Sequence, residues 1–139
     1  MKVIGLDLGL HSLGISISDQ HQMLARGLEN LRFEVDENYQ VARKKIASLL
    51  IEERVETIVL GYPKNMDGTI GAQAIETKRF KQLLEQDTNV PIVLWDERLT
   101  TKMANTMMRD QKLTRKVRHK NVDKSSAIIL LQSYLDTKK

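Results

Sequence analysis

MKVIGLDLGLHSLGISISD, residues 1–19, decides the fold. Val3, Gly5, Asp7 and Gly9 alternate with Ile4, Leu6 and Leu8, the period of a strand with two distinct faces. Past LHSL, Gly14 begins a second alternating run, in which Ile15 and Ile17 oppose Ser16 and Ser18. Two such runs joined by a short turn predict a β-hairpin. One carboxylate, Asp7, stands inside the first run. A buried carboxylate without a partner is costly, so Asp7 is expected to be paired, metal-bound or exposed in a cleft. Gly5 and Gly9 put no side chains beside it, which leaves room for a metal, a phosphate or another backbone.

Working outward, DQHQ makes the next turn and residues 23–33 predict a third strand. The period then changes. From about Tyr39 to Glu53, Ala42, Ile46, Leu49 and Leu50 recur at helical spacing. VETIVLG, residues 55–61, is a compact β-branched run and predicts a buried strand. YPKNMDGTIG, residues 62–71, is loop by composition, with Asn65 and Asp67 shaping its turn. Residues 72–85 predict a helix, VPIVLW (90–95) a short buried strand, and 99–110 another helix. QKLTRKVRHKN, residues 111–121, is basic and aperiodic and reads as a loop. Residues 122–136 predict a last helix with Ala127, Ile128, Leu131 and Leu135 on its inner face. The order β-β-β-α-β-α-β-α-α implies an α/β fold, a mixed five-stranded sheet with helices packed on it. With no repeat and no linker, a single domain over residues 1–139 is expected.

Composition narrows the function. The chain has no cysteine, hence neither a disulfide framework nor a thiolate metal site. No apolar stretch is long enough to span a bilayer and residues 1–19 lack a secretory pattern, so no membrane partner and a cytoplasmic location are expected. The formal charge is +4. Between Lys102 and Lys124 eight Lys/Arg stand against two Asp, so that segment carries +6 and the remainder −2. A concentrated positive segment suits a polyanion contact. Gly5, Gly9 and Gly14 lack GxGxxG spacing and precede a hairpin, which excludes a Rossmann cofactor site.

The acids gather where α/β sites collect, at strand ends and helix starts. Besides Asp7, they are Asp96 and Glu97 directly after VPIVLW, and Asp123 at the start of the last predicted helix. Taken alone, Asp123 also suits an acid that complements a helix dipole, and Asp96 or Glu97 also suits a pair with Arg98. Three converging carboxylates without His or Cys suit a hard cation such as Mg²⁺ or Mn²⁺. Two such ions about 3.5–4 Å apart are a known arrangement for phosphodiester cleavage.

GLDLGLHSLGISISD, VLGYPKNMDGTIG, WDERLTT and KNVDKSSAIILLQSYLD resemble, in order and spacing, the signature blocks of the YqgF/RuvX family. The resemblance runs over essentially the whole chain. It implies an RNase H-like fold and a nuclease, either one that matures the 5′ end of pre-16S ribosomal RNA or a Holliday junction resolvase. A third possibility is a ribosome-assembly factor that grips nucleic acid without cutting it. The resemblance carries the catalytic and metal-ligand roles onto Asp7, Glu97 and Asp123, with Mg²⁺ or Mn²⁺, as two ions, for cofactor. Lys64, Arg98, Arg115, Lys116, Arg118 and Lys120 are the expected phosphate contacts. The partner is structured RNA or branched DNA, bound by a monomer or a homodimer. Two departures stand out. His11-Ser12 occupies the place of the family's common basic pair. The fourth strand ends in Gly61-Tyr62-Pro63, where the better-studied resolvases of this fold carry an acid. Sugar kinases and chaperone ATPases share the fold, but they close a second such domain over the nucleotide.

Overall fold

The computed structural model describes residues 1–34, 38–63, 67, 69–97 and 115–138, with side chains from residue 126 onward in the last segment. The described elements run β1 (Lys2–Leu8), β2 (Ser12–Ser18), β3 (Ala25–Arg32), α1 (Gln40–Glu52), β4 (Val55–Tyr62), α2 (Ala72–Asp87), β5 (Ile92–Asp96) and α3 (Arg115–Thr137). The five strands form one sheet in the order β3-β2-β1-β4-β5. β1 pairs antiparallel with β2 and parallel with β4, β3 is antiparallel to β2, and β5 is parallel to β4. Parallel neighbours need crossovers, and α1 and α2 supply them. This is the mixed, RNase H-like arrangement that the family resemblance implies. The predicted helix over 99–110 lies outside the described residues.

Alternation along β1 builds two cores. Ile4, Leu6 and Leu8 join Leu13, Ile15 and Ile17 under α1 and α2, where Ala42, Ile46, Phe80 and Leu84 close the layer. All four predicted inward positions of α1 are buried. On the opposite face Val3 and Val59 meet Leu130, Leu131, Tyr134 and Leu135 of α3, with Val93 and Trp95 packed beside them. No helix among the described residues is long and apolar enough to cross a membrane.

Three expectations need correction. Residues 115–121 are helix, so α3 begins seven residues earlier than the apolar pattern predicts. Lys and Arg are good helix formers, but a stretch that presents no apolar stripe carries no periodic signal. Arg115, Lys116, Arg118 and Lys120 therefore lie on a helix rather than in a loop. The inner face of α3 uses Leu130 and Tyr134 in addition to Ala127, Leu131 and Leu135, while Ile128 is only half-buried. Finally, β5 is half-buried throughout, because it is the edge strand and has a neighbour on one side only.

The seat of α3 is unusually close. Ser16 Oγ donates to the carbonyl of Ala127 at 2.7 Å. A Cβ on Gly5 would come within 2.9 Å of Leu131 Cβ, 3.3 Å of the Ala127 carbonyl and 2.6 Å of Ser16 Oγ. Glycine is thus required here by space, because two of those three neighbours belong to a packed helix that cannot swing aside. Further along, Gln132 Oε1 accepts the Ala25 amide at 2.8 Å, and its Nε2 donates to the Met23 carbonyl at 3.0 Å. Trp95 Nε1 donates to Ser133 Oγ at 3.1 Å. Gly5→Ala should lower stability by about 1–3 kcal/mol, the usual cost of overpacking, against a gain of well under 1 kcal/mol from the stiffer unfolded chain. Urea unfolding of the two proteins checks this.

Candidate active site

Strand alternation decides which acids meet. Val3, Gly5 and Asp7 share the α3 face of β1, and Val59 and Gly61 share that face of β4. Val93 and Trp95 pack against α3, so Glu97, two residues on, continues their face, whereas Asp96 continues the face of Ile92 and Leu94. Glu97, and not Asp96, therefore shares the face of Asp7. Glu97 is hydrogen-bonded to Asp7; Asp96 acts on it only through charge.

Gly61 makes this possible. The Glu97 side chain lies across it, and a Cβ at Gly61 would stand 3.0 Å from Glu97 Cδ and 3.1 Å from Cγ. The glycine that ends β4 in place of an acid is thus the cradle for the acid that follows β5. A glycine inside a strand often marks such an approach. In the sequence Gly61 shows only as a strand terminus, and no local pattern signals this role.

The electrostatics follow from the geometry. Burial pushes the Glu97 carboxyl up to about 8, and the hydrogen bond to Asp7, the charge of Asp7 and the charge of Asp96 act in the same direction. With no cation bound, Glu97 holds a proton at neutral pH and donates it to the Asp7 carboxylate. Two carboxyl groups sharing one proton form an all-oxygen donor pair with room for positive charge. Among the described residues no group of three acids or histidines could hold a metal ion. Asp123 lies in α3, one turn before Ala127, and its side chain is outside the described residues. The side chains of Arg115, Lys116, Arg118 and Lys120 are likewise outside, as are Lys64, Asn65 and Arg98. Asp67 does shape its turn: its Oδ1 accepts from the Thr69 amide at 2.9 Å and the Thr69 hydroxyl at 2.6 Å. Gln73, in the first turn of α2, donates from Nε2 to the Leu8 carbonyl at 3.2 Å and ties the end of β1 to that helix.

The family model for RuvX, Holliday junction resolvase, matches residues 1–137. This chain belongs to the RuvX family. A relative from Shouchella clausii (strain KSM-K16), named "Putative pre-16S rRNA nuclease", is 46% identical over 137 residues, covering 98% of this chain and 95% of its own. One of the same name from Geobacillus sp. (strain WCH70) is 42% identical over 138 residues and 99% of each chain. Among solved structures, T. thermophilus RuvC in complex with a Holliday junction substrate superposes with a TM-score of 0.59 at 14% identity, over 99% of this chain and 96% of that one. The fowlpox virus resolvase with Holliday junction DNA gives 0.53 at 11% identity over 99% of each. Both likenesses show the shared RNase H-like fold of this RuvX chain.

Two outcomes test the carboxyl pair. Glu97 has a folded pKa above its unfolded one, so the folded state binds more protons between about pH 4.5 and 8 and loses stability as pH rises through that window. In EDTA, Glu97→Gln should therefore melt higher than wild type at pH 7.5, and the difference should vanish near pH 4. Thermal melts across that range would show it, and a constant offset would contradict it. Gly61→Ala should fold normally, since only a flexible side chain must move. It should nonetheless displace Glu97, which would appear as loss of the pH-dependent part of stability.

Proposed function

We propose that this RuvX chain is a divalent-metal-dependent nuclease, a hydrolase of phosphodiester bonds in structured RNA, acting as a single domain in the cytoplasm on the 5′ end of pre-16S rRNA. One observation carries the reading: the Glu97 carboxyl, laid over Gly61, is hydrogen-bonded to Asp7 at the C-terminal ends of the central strands. That is the edge where open α/β sheets bind ligands. The choice of RNA over junction DNA rests on the relatives of 42 and 46% identity and their names.

Asp7, Glu97 and Asp123 would hold Mg²⁺ or Mn²⁺, as two ions. The donors fit, being oxygens only, and burial and the neighbouring acids disfavour the Glu97 charge until a counter-charge arrives. When bound, the cation supplies positive charge that polarises the scissile phosphate and makes water a better nucleophile. The chain's own contribution is position. Asp7 is fixed on a strand paired on both sides. Glu97 is held by the glycine beneath it and gives up its proton when positive charge replaces it. Lys64, Arg98, Arg115, Lys116, Arg118 and Lys120 contact phosphates without reading sequence.

A cleavage panel with Mg²⁺ and with Mn²⁺ tests the reading, using single-stranded RNA, a precursor-rRNA-like stem, duplex DNA and a four-way junction. Cleavage of the stem is expected. Asp7→Asn should reduce it by about 10²-fold or more, since removing a metal-anchoring charge forfeits several kcal/mol of transition-state stabilisation. Symmetric cutting of the junction alone would move the assignment to a resolvase. Binding without cleavage of any substrate would overturn the nuclease reading.

A further inference from the structure

Asp7 and Glu97 lie on one face of the sheet, and a cation with no acid partner among the described residues lies by the end of β4 on the other. Helix α2 carries Lys78, Arg79 and Lys81 in sequence. Arg79 is engaged by Glu76, with Nη2 and Nε at 2.6 and 3.1 Å from Oε1. Lys81 pairs with Glu85 at 3.4 Å. Lys78 is exposed and has no carboxylate within ion-pair distance among the described residues; its ammonium instead lies 5.5 Å from the ring centroid of Tyr62.

Tyr62 is well placed to hold that ammonium near the chemistry. It is the last residue of β4, directly after the glycine under Glu97, and it registers with Asp96 on β5. Only 7% of it is exposed, so the ring is a fixed platform. α2 starts at the edge where β4 ends, and helical side chains lean toward the helix N-terminus. The lysine stem thus runs back toward the carboxylate edge. Because Lys78 itself is exposed, its attraction to the Tyr62 face is modest. That is enough to bias a flexible stem, and it leaves the ammonium's charge and donors available. A nucleic-acid strand with its scissile phosphate at Asp7 and Glu97 also has flanking phosphates, which the acids repel. The Lys78 ammonium, held over the ring of the residue that follows Gly61, offsets that repulsion.

Building on the nuclease reading, we propose that Lys78, propped on Tyr62, grips a flanking phosphate of the substrate strand on the α2 side of the site. Lys78 is a positioning residue. It touches neither the reacting phosphate nor the metal ligands, and it sets how the strand crosses the sheet edge.

The test is equilibrium binding of a synthetic precursor-rRNA-like stem in EDTA, across a KCl series, for wild type, Lys78→Gln, Lys78→Arg and Lys81→Gln. Each phosphate contact contributes about 0.7–0.9 to the slope of log K against log salt. Lys78→Gln should weaken binding at low salt and reduce the slope by about that amount. Lys78→Arg should retain the slope, and Lys81→Gln should leave it unchanged. Melting temperatures within a degree of wild type would show that the fold is intact. An unchanged slope in Lys78→Gln overturns the proposal, as does equal loss in Lys81→Gln, which would reflect net charge alone. Binding is read without cleavage, so the two readings fail separately. Stem cleavage with an unchanged slope sinks only the Lys78 contact, whereas a changed slope without cleavage sinks only the nuclease. A wild-type protein with no salt-dependent affinity for the stem sinks both.

Discussion

The contact on which the site depends is the seat of α3 against Gly5 and Ser16. A helix normally stands off a sheet by the thickness of two side-chain layers. Here one layer is missing at Gly5, and the Ser16 hydroxyl bonds the helix carbonyl at Ala127 directly. The hydrogen bond is worth only about 1 kcal/mol net, so its main effect is to fix register. Four helical residues rise about 6 Å, and two strand residues advance about 6.6 Å. α3 runs against the direction of β1, with Gln132 near the start of β3 and Ala127 over Gly5. The same register carries the backbone of residue 123 toward the level of Asp7. Trp95, bonded to Ser133, ties β5 to the same helix, and Glu97 follows two residues later. One close sheet–helix contact thus indexes the elements that bear all three proposed acids.

That placement sets packing and electrostatics against each other. Folding brings Asp7 and Glu97 into hydrogen-bond contact and withdraws Glu97 from water, and it keeps one proton between them that the unfolded chain would release at neutral pH. A site designed only for stability would separate the groups or replace one by an amide. The surrounding structure does the reverse: it leaves a glycine where any other side chain would push Glu97 away. Stability given up at neutral pH in this way is what a cation-binding site requires, because the incoming charge takes the place of the proton. It gains more where the two carboxylates are held together in advance than where they must be collected.

Much of this was legible in the first nineteen residues. The two faces of β1 and β2 and the position of Asp7 follow there from period, as the inward stripe of α1 does further along, and period survives in any context that buries one face. Strand ends and a helix start already marked Asp7, Asp96, Glu97 and Asp123, and the resemblance added the family and the preference for Glu97. Alternation alone could not choose between Asp96 and Glu97, because it separates two faces without saying which one Asp7 shares; that needed the packing of Val93 and Trp95 against α3. The start of α3 was hidden for a different reason. Residues 115–121 are polar apart from Val117, and helix propensity without an apolar stripe leaves no mark on a periodicity reading. Gly61 was visible as a glycine but not as a cradle, since the side chain that fills it arrives from another strand thirty-six residues later.

The division of charge between the two faces gives the site a direction. Asp7 and Glu97 face α3, and Asp96 faces the other side. The basic residues at 115, 116, 118 and 120 belong to the helix on the first face, whereas Lys78 belongs to the helix on the second. A polyanion lying flat along either face would meet cations from only one of them. A strand that crossed the C-terminal edge of β1 and β4 would reach both helices, and at that crossing its backbone would pass over the carboxyl pair.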